Sequence, residues 1–226
     1  FPIRSFGYLW RSNRLSKMER VTIAHAKDLF GANFIGLEEL QFLFERMGLS
    51  SCSIQVPDIH YSVGDLKKHS KDYILILGVQ ELNGEKLSID RFRKCFGINP
   101  DISEPCFYNQ DWYMCETFIY DTLDLRWFLL KKNVIESSRA VQPLELLNEN
   151  INFPTAILCV YTFFAYYYAR KELLWHHDFV WCSDTDHNGD RIYVGKYHDV
   201  DEVNKNGFSI HRHLALRNCY GAIALY

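Results

Sequence analysis

The sequence lacks the glycine loops that cradle phosphates. Neither G-x-G-x-x-G nor G-x-x-x-x-G-K-[ST] occurs, which argues against a nucleotide-driven enzyme of the folds built on those loops. It has no G-x-S-x-G, and no cysteine stands in a recognisable nucleophile setting, so nucleophilic catalysis finds no support. A basic excess is missing too. The chain carries 25 Lys and Arg against 28 Asp and Glu, a net charge of −3, with no block of one sign. Phosphate neutralisation supplies much of the affinity for nucleic acid, so nucleic acid is not an expected partner. Finally, there is no C-x-x-C pair. Cys52, Cys95, Cys106, Cys115, Cys159, Cys182 and Cys219 are scattered and odd in number. That pattern fits neither a disulfide framework nor a paired-cysteine zinc site, and implies reduced, mostly buried thiols in a cytoplasmic protein.

What the chain has in quantity is aromatic side chains, 16 Phe, 14 Tyr and 5 Trp in 226 residues. Rings carry large buried area, so the first expectation is a well-filled core. A ring-lined groove that holds a partner is the sharper alternative. The length suffices for one large domain or two small ones.

The N-terminal part, residues 1–99, reads as mostly helical with a short β segment. Its first fifteen residues carry arginines throughout and no continuous apolar core, unlike a secretory signal. Ser16-Lys17-Met18-Glu19 is a capping box for a helix running to Phe30, with Gly31 as its stop. A second helix is expected from Leu37 to Met47, closed by Gly48. The pair invites a helix-turn-helix reading, but Glu38, Glu39 and Glu45 would face phosphates, so a structural hairpin is expected. Tyr73–Val79 is apolar and rich in branched residues, as in a strand covered on both faces. Asn83-Gly84 is a tight turn, and Ser88 caps a short helix, Ile89–Phe96, ended by Gly97. Residues 98–111 concentrate Pro, Asp, Asn and Ser and mark the boundary with a second region, 100–226.

In that region Arg126–Lys132 reads as a strand. Residues 134–152 read as helical in part. Residues 153–169 contain no charge. At about 17 residues the run is near the lower limit for crossing a bilayer, and Pro154, two Thr and four Tyr weaken that reading. A central buried helix, started near Pro154 and ended at Arg170-Lys171, is expected instead, with no membrane partner.

The strongest pattern lies at 178–226. Two β-prone runs, 178–184 and 191–197, flank a type I′ turn at Asn188-Gly189. In that register Asp186 faces Arg191, and Phe179 and Trp181 share a face with Ile192 and Val194. A third strand, Phe208–Leu216, alternates, with Arg212 on the apolar face beside Phe208 and Ile210. A last strand, Tyr220–Tyr226, completes an antiparallel β-meander. The fold class expected is therefore α+β, with a helical N-terminal part and the meander packed on the buried apolar helix.

Two metal sites are conceivable here. Asp184, Asp186, Asn188 and Asp190 place oxygen ligands at alternating positions before and after Gly189, like the start of a calcium loop and like the D-x-D-x-N-G-D loops of some β-propeller and adhesion repeats. An EF-hand, however, needs Glu at its twelfth position, where Gly195 stands, and helices where strands are expected. His211 and His213, two apart on a strand, project from one face, as in His-x-His sites for zinc or iron, and His176, His177, Asp178 or Asp184 could add ligands.

The stretch from Leu174 to Ile223, LWHHDFVWCSDTDHNGDRIYVGKY followed by NKNGFSIHRHLALRNCYGAI, resembles a stretch of bacterial proteins with no assigned activity. The resemblance implies a bacterial cytoplasmic protein and carries no catalytic residue across. Two functions remain: a non-enzymatic binding or accessory protein with a protein or small-molecule partner, and a metal-dependent, hydrolase-like enzyme centred on His211 and His213.

Overall fold

Helix α1 (Ile23–Phe30) begins where the Thr22 hydroxyl accepts the amide of His25, and it ends at Gly31, whose φ is +53°. These coordinates come from a computed structural model, which describes residues 20–51, 54–198, 206–212 and 216–226. The expected start at Ser16 lies outside the described residues. Val21 is extended, bridged to Ile59, so α1 is shorter than the capping box implied. Strand β1 (Phe34–Ile35) leads into α2 (Leu37–Arg46), where the Glu39 carboxylate accepts the amide of Gly36 at 3.0 Å.

Then follow α3 (Val63–His69), capped by Ser62, β2 (Tyr73–Leu77), the short hairpin β3 (Glu81–Leu82) and β4 (Glu85–Lys86), and α4 (Ile89–Phe96), capped by Ser88. Strand β5 (Trp127–Lys131) pairs antiparallel with β2, and β1 pairs parallel with β2, giving a first sheet of order β1-β2-β5. Strand β2 is the central strand, and its last four residues are buried on both faces, so an apolar run with no alternation is what such a strand requires.

Helices α5 (Pro143–Asn148) and α6 (Ala156–Arg170) come next. Eleven residues of α6 are buried, from Ala156 through Tyr166, and it packs against α2, α4, β1, β6 and β7. Its Tyr hydroxyls reach polar partners across the core. Tyr161 donates to the Leu77 carbonyl at 3.1 Å and Tyr166 to Asn33 Oδ1 at 3.1 Å. A ring with one polar tip can be buried when the tip is satisfied, which is why an uncharged, Tyr-rich run forms a core helix. Among the described residues, no helix is long and apolar enough to cross a membrane. Phe164 stacks on Phe96 and touches Phe92, Phe107 and Phe208. The aromatic wealth is spent on the core, which contains residues from Val21 to Ile223.

The second sheet holds β6 (Phe179–Thr185), β7 (Arg191–Gly195), β8 (Ser209–His211) and β9 (Tyr220–Gly221) in the order β8-β7-β6-β9. The fold is α+β, but the sheet is mixed rather than an antiparallel meander. Strand β9 leaves β8, crosses to the far edge and pairs parallel with β6, Phe179 opposite Tyr220. There it is held from the other side as well, since Ala140 donates to Tyr220 and Ile135 to Ala222 at 2.9 Å each. The last residues continue to the first sheet, where Leu225 bridges Leu130. The chain end thus stitches the two sheets together, and the long-range backbone hydrogen bonds gained there explain why it does not fold back on β8.

The β6–β7 hairpin forms, with a different register. Trp181 lies opposite Tyr193, and Thr185, not Asp186, opposite Arg191, with an irregularity between Trp181 and Thr185. The slip is one residue at Thr185 and three at Trp181, and a slip by an odd number moves each side chain to the other face. Phe179 and Trp181 accordingly join Tyr193 and Tyr220 under α5, while Val180, Ile192 and Val194 join the core around α6. Both faces of the sheet are buried, and the aromatic surface expected to hold a partner is interior, with Tyr193 only 1% exposed.

Candidate functional site

The hairpin tip explains the altered register. Gly189 takes φ +87°, while Asn188 is not among the described residues with positive φ. The turn is therefore centred on His187-Asn188, closed by the Gly189 amide donating to the Asp186 carbonyl at 3.0 Å. Asp186 organises it: its Oδ1 accepts the amides of Asn188 at 2.8 Å and Asp190 at 2.9 Å. An Asp that bonds the backbone two residues on stabilises this turn in place of type I′.

The side chain of Asp186 is fully buried and its Oδ2 pairs with Arg212. Burial pushes the Asp186 carboxyl up, but the amides of Asp190 and Asn188 and the Arg212 guanidinium outweigh it and hold the group at about 2. The same guanidinium lies 3.5 Å from Glu116 and stacks over Trp112 at 4.5 Å. Glu116, 3% exposed, accepts the amide of His187 at 3.0 Å and its Nδ1 at 2.6 Å. Among the described residues, Glu116, Asp186 and His187 are the one set of three ligating side chains whose ligand atoms lie within 4.8 Å of one another.

The other residues singled out from sequence go elsewhere. Asp184 points to the start of α6, where its Oδ2 accepts the Ala156 amide at 2.6 Å. Burial raises its pKa against that hydrogen bond. Asp184, Asp186 and Asp190 are thus not gathered as a calcium loop would gather them. Asn188 is exposed on the turn. His211, on β8, stacks on Tyr193, meets Phe179 edge-on and contacts Gln110 Nε2 at 2.9 Å. His213 lies outside the described residues.

A cleft of about 370 Å³ opens elsewhere, between residues 133–139 and 172–178. Arg139 crosses its wall, donating to Glu136 at 2.8 and 3.1 Å, to Asp178 at 2.7 and 3.2 Å, and to the Asn218 carbonyl at 3.0 Å. Hydrogen bonds to Asp178 and then Glu136 raise the Arg139 pKa well above its ordinary value. Glu172 pairs with Lys132 at 2.9 Å. His176 and His177 line the opening.

The backbone here is unusual. Of six non-glycine residues with positive φ among those described, Trp175 lines the cleft, Ala140 and Lys171 stand next in sequence to residues that line it, and Lys196 is hydrogen-bonded to two of them; Lys171 is also the left-handed C-cap of α6. Left-handed backbone costs an ordinary residue about 1 kcal/mol or more. The surroundings hold it in place: the Lys196 amide donates to Trp175 at 3.0 Å and to Asp178 at 2.7 Å. No local sequence signal announced Arg139, Glu136 or Glu116. Arg212 did leave one, as a charge on the apolar face of its strand, which demands a buried partner.

No family model matches the chain, and neither a curated protein nor a solved structure matches it.

Proposed function

We propose that the chain is a binding or accessory protein of a bacterial cytoplasm, and that it holds a small polar ligand in the cleft between residues 133–139 and 172–178. The left-handed backbone of Trp175 in the wall, with those of Ala140 and Lys196 directly beside it, carries the reading, because backbone strain concentrates where side chains must be pre-positioned. Glu136, Glu172 and Asp178 bring three carboxylates against Arg139 and Lys132, and every N–H of Arg139 is directed at an acceptor inside the protein. The ligand class that fits is a cation or a small molecule rich in hydrogen-bond donors. Asn133 is exposed at the rim, so Asn133→Trp fills the cleft without disturbing the core. In a thermal-shift screen of small cations, polyamines and amino compounds, hits are expected to raise the Tm of the wild type and leave Asn133→Trp unmoved. Equal shifts in both proteins, or no hits, would overturn the reading.

A second reading is favoured by the geometry of His187. Glu116 fixes its Nδ1 at 2.6 Å, which leaves Nε2 for proton transfer, as in a carboxylate–imidazole base. With Asp186 beside them, the three could hold a divalent ion for metal-dependent hydrolysis, a role the sequence suggested for His211 and His213. Arg212 already neutralises both carboxylates, so an ion would have to displace it. Hydrolysis of ester or phosphoester probes that is lost in His187→Ala would favour this reading over the first.

A further inference from the structure

His176 and His177, consecutive at the cleft mouth, are met there by His198, 21 residues further along the chain. The ring centroids of His176 and His177 are 4.2 Å apart, and those of His176 and His177 lie 6.2 and 6.1 Å from that of His198. The backbone ties them together, since the His198 amide donates to the His176 carbonyl at 2.8 Å. Trp175, with φ +49°, turns the chain directly before the pair. His176 and His177 line the cleft and are exposed.

Two of the rings are also tautomerically set. His176 Nδ1 lies 3.3 Å from the Leu173 carbonyl, which can only accept, so Nδ1 carries the proton and Nε2 the lone pair. His198 Nδ1 lies 2.8 Å from Asn206 Oδ1, with the same consequence. Donation of the second ring nitrogen to a carbonyl oxygen is the arrangement that orients metal-ligating histidines.

We infer that His176, His177 and His198 form a site for one divalent transition-metal ion. Three imidazoles around an ion about 2.0–2.1 Å from each nitrogen stand with ring centroids roughly 5 Å apart, and the observed separations bracket that value. Their nitrogens are not yet converged, for the three do not all present a ligand atom within 4.8 Å. The exposed ring of His177 closes that gap by rotating about χ1 and χ2, a motion of picoseconds to nanoseconds for surface side chains, while His176 keeps its hydrogen bond to Leu173. A ligand set of three neutral nitrogens without carboxylate selects zinc, cobalt or nickel over calcium and magnesium. Three protein ligands leave a fourth position for water or for the bound molecule. The inference rests on the cleft being the binding site and names the cation that anchors its ligand.

The test is calorimetric titration of the full chain, stripped with chelator, with zinc, cobalt(II) and calcium chlorides. One equivalent of zinc is expected to bind, cobalt to give the visible absorption of tetrahedral nitrogen ligation, and calcium not to bind. The double variant His176→Ala, His177→Ala changes only exposed side chains and should fold, and it should lose zinc affinity at least tenfold, as should His198→Ala. Asn206→Ala should weaken zinc about 10–100-fold by freeing the His198 ring. His187→Ala should leave the titration unchanged. The site is overturned if zinc does not bind stoichiometrically, if binding survives the double variant, or if His187→Ala removes it. Failure of the metal with ligand shifts still blocked by Asn133→Trp would sink this inference alone. Stoichiometric zinc with ligand shifts that persist in Asn133→Trp would instead sink the cleft as the ligand site.

Discussion

The hairpin tip and the cleft each set one arginine against two carboxylates, and they differ in what surrounds the charges. At the tip, Glu116 and Asp186 have 3% and 0% of their side chains exposed, and Arg212 sits between them under Trp112. At the cleft, Glu136 is 80% and Asp178 27% exposed around Arg139. A buried charge must be paired to exist at all, so the tip reads first as a structural tie. The cleft charges face water and could exchange it for a ligand. What distinguishes them from an ordinary surface ion pair is the left-handed backbone that frames them.

The largest effect should come from the tip. Glu116→Ala removes the acceptor of the His187 hydrogen bonds and one partner of Arg212, and breaking a buried ionic network in this way costs roughly 3–5 kcal/mol. Urea unfolding should show that loss while cleft binding in the folded fraction stays unchanged. At the cleft, Arg139→Ala should cost about 1–2 kcal/mol, between the values for exposed and buried pairs, yet abolish cleft binding. If the two variants swapped these outcomes, the assignment of structure to the tip and binding to the cleft would fail.

Acid separates the regions further. The Asp186 carboxyl is held at about 2 against an ordinary 3.8. A depressed pKa stabilises the fold above the ordinary value, and that stability is lost as pH falls through the folded one. The wild type should therefore lose stability between about pH 4 and pH 2, and Asp186→Asn should flatten that part of the melting profile. An unchanged acid limb would remove Asp186 as its source. The smallest effect is expected for His177→Ala, which should alter stability by no more than about 0.5 kcal/mol because the ring is exposed. A larger loss would make that histidine structural.

Much of the secondary structure was legible because its signals are local. Ser88 and Gly97 bracket α4, the β-branched run marks β2, and the charge-free stretch ending at Arg170 marks α6. The six described cysteines are free, and three of them, Cys106, Cys159 and Cys182, are buried. Pairing was less legible. The β6–β7 hairpin could be read from Asn188-Gly189, but its register turned on Asp186 preferring the backbone amides beyond it, a competition between two turn chemistries that strand alternation does not reveal. Arg212 could be read as a charge in need of a partner from its place on an apolar face, though not its partner Glu116, 96 residues away.

The sequence by itself determined which segments become helix or strand, that the rings would fill a core, and that the tip residues would make a turn. Those properties depend on neighbours within a few residues along the chain. Only the tertiary structure decided that β9 pairs with β6, which faces of the second sheet meet which core, and that His198 joins His176 and His177. Each of those depends on groups brought together from distant positions, where local propensity carries no information and packing with hydrogen-bond satisfaction selects the partner.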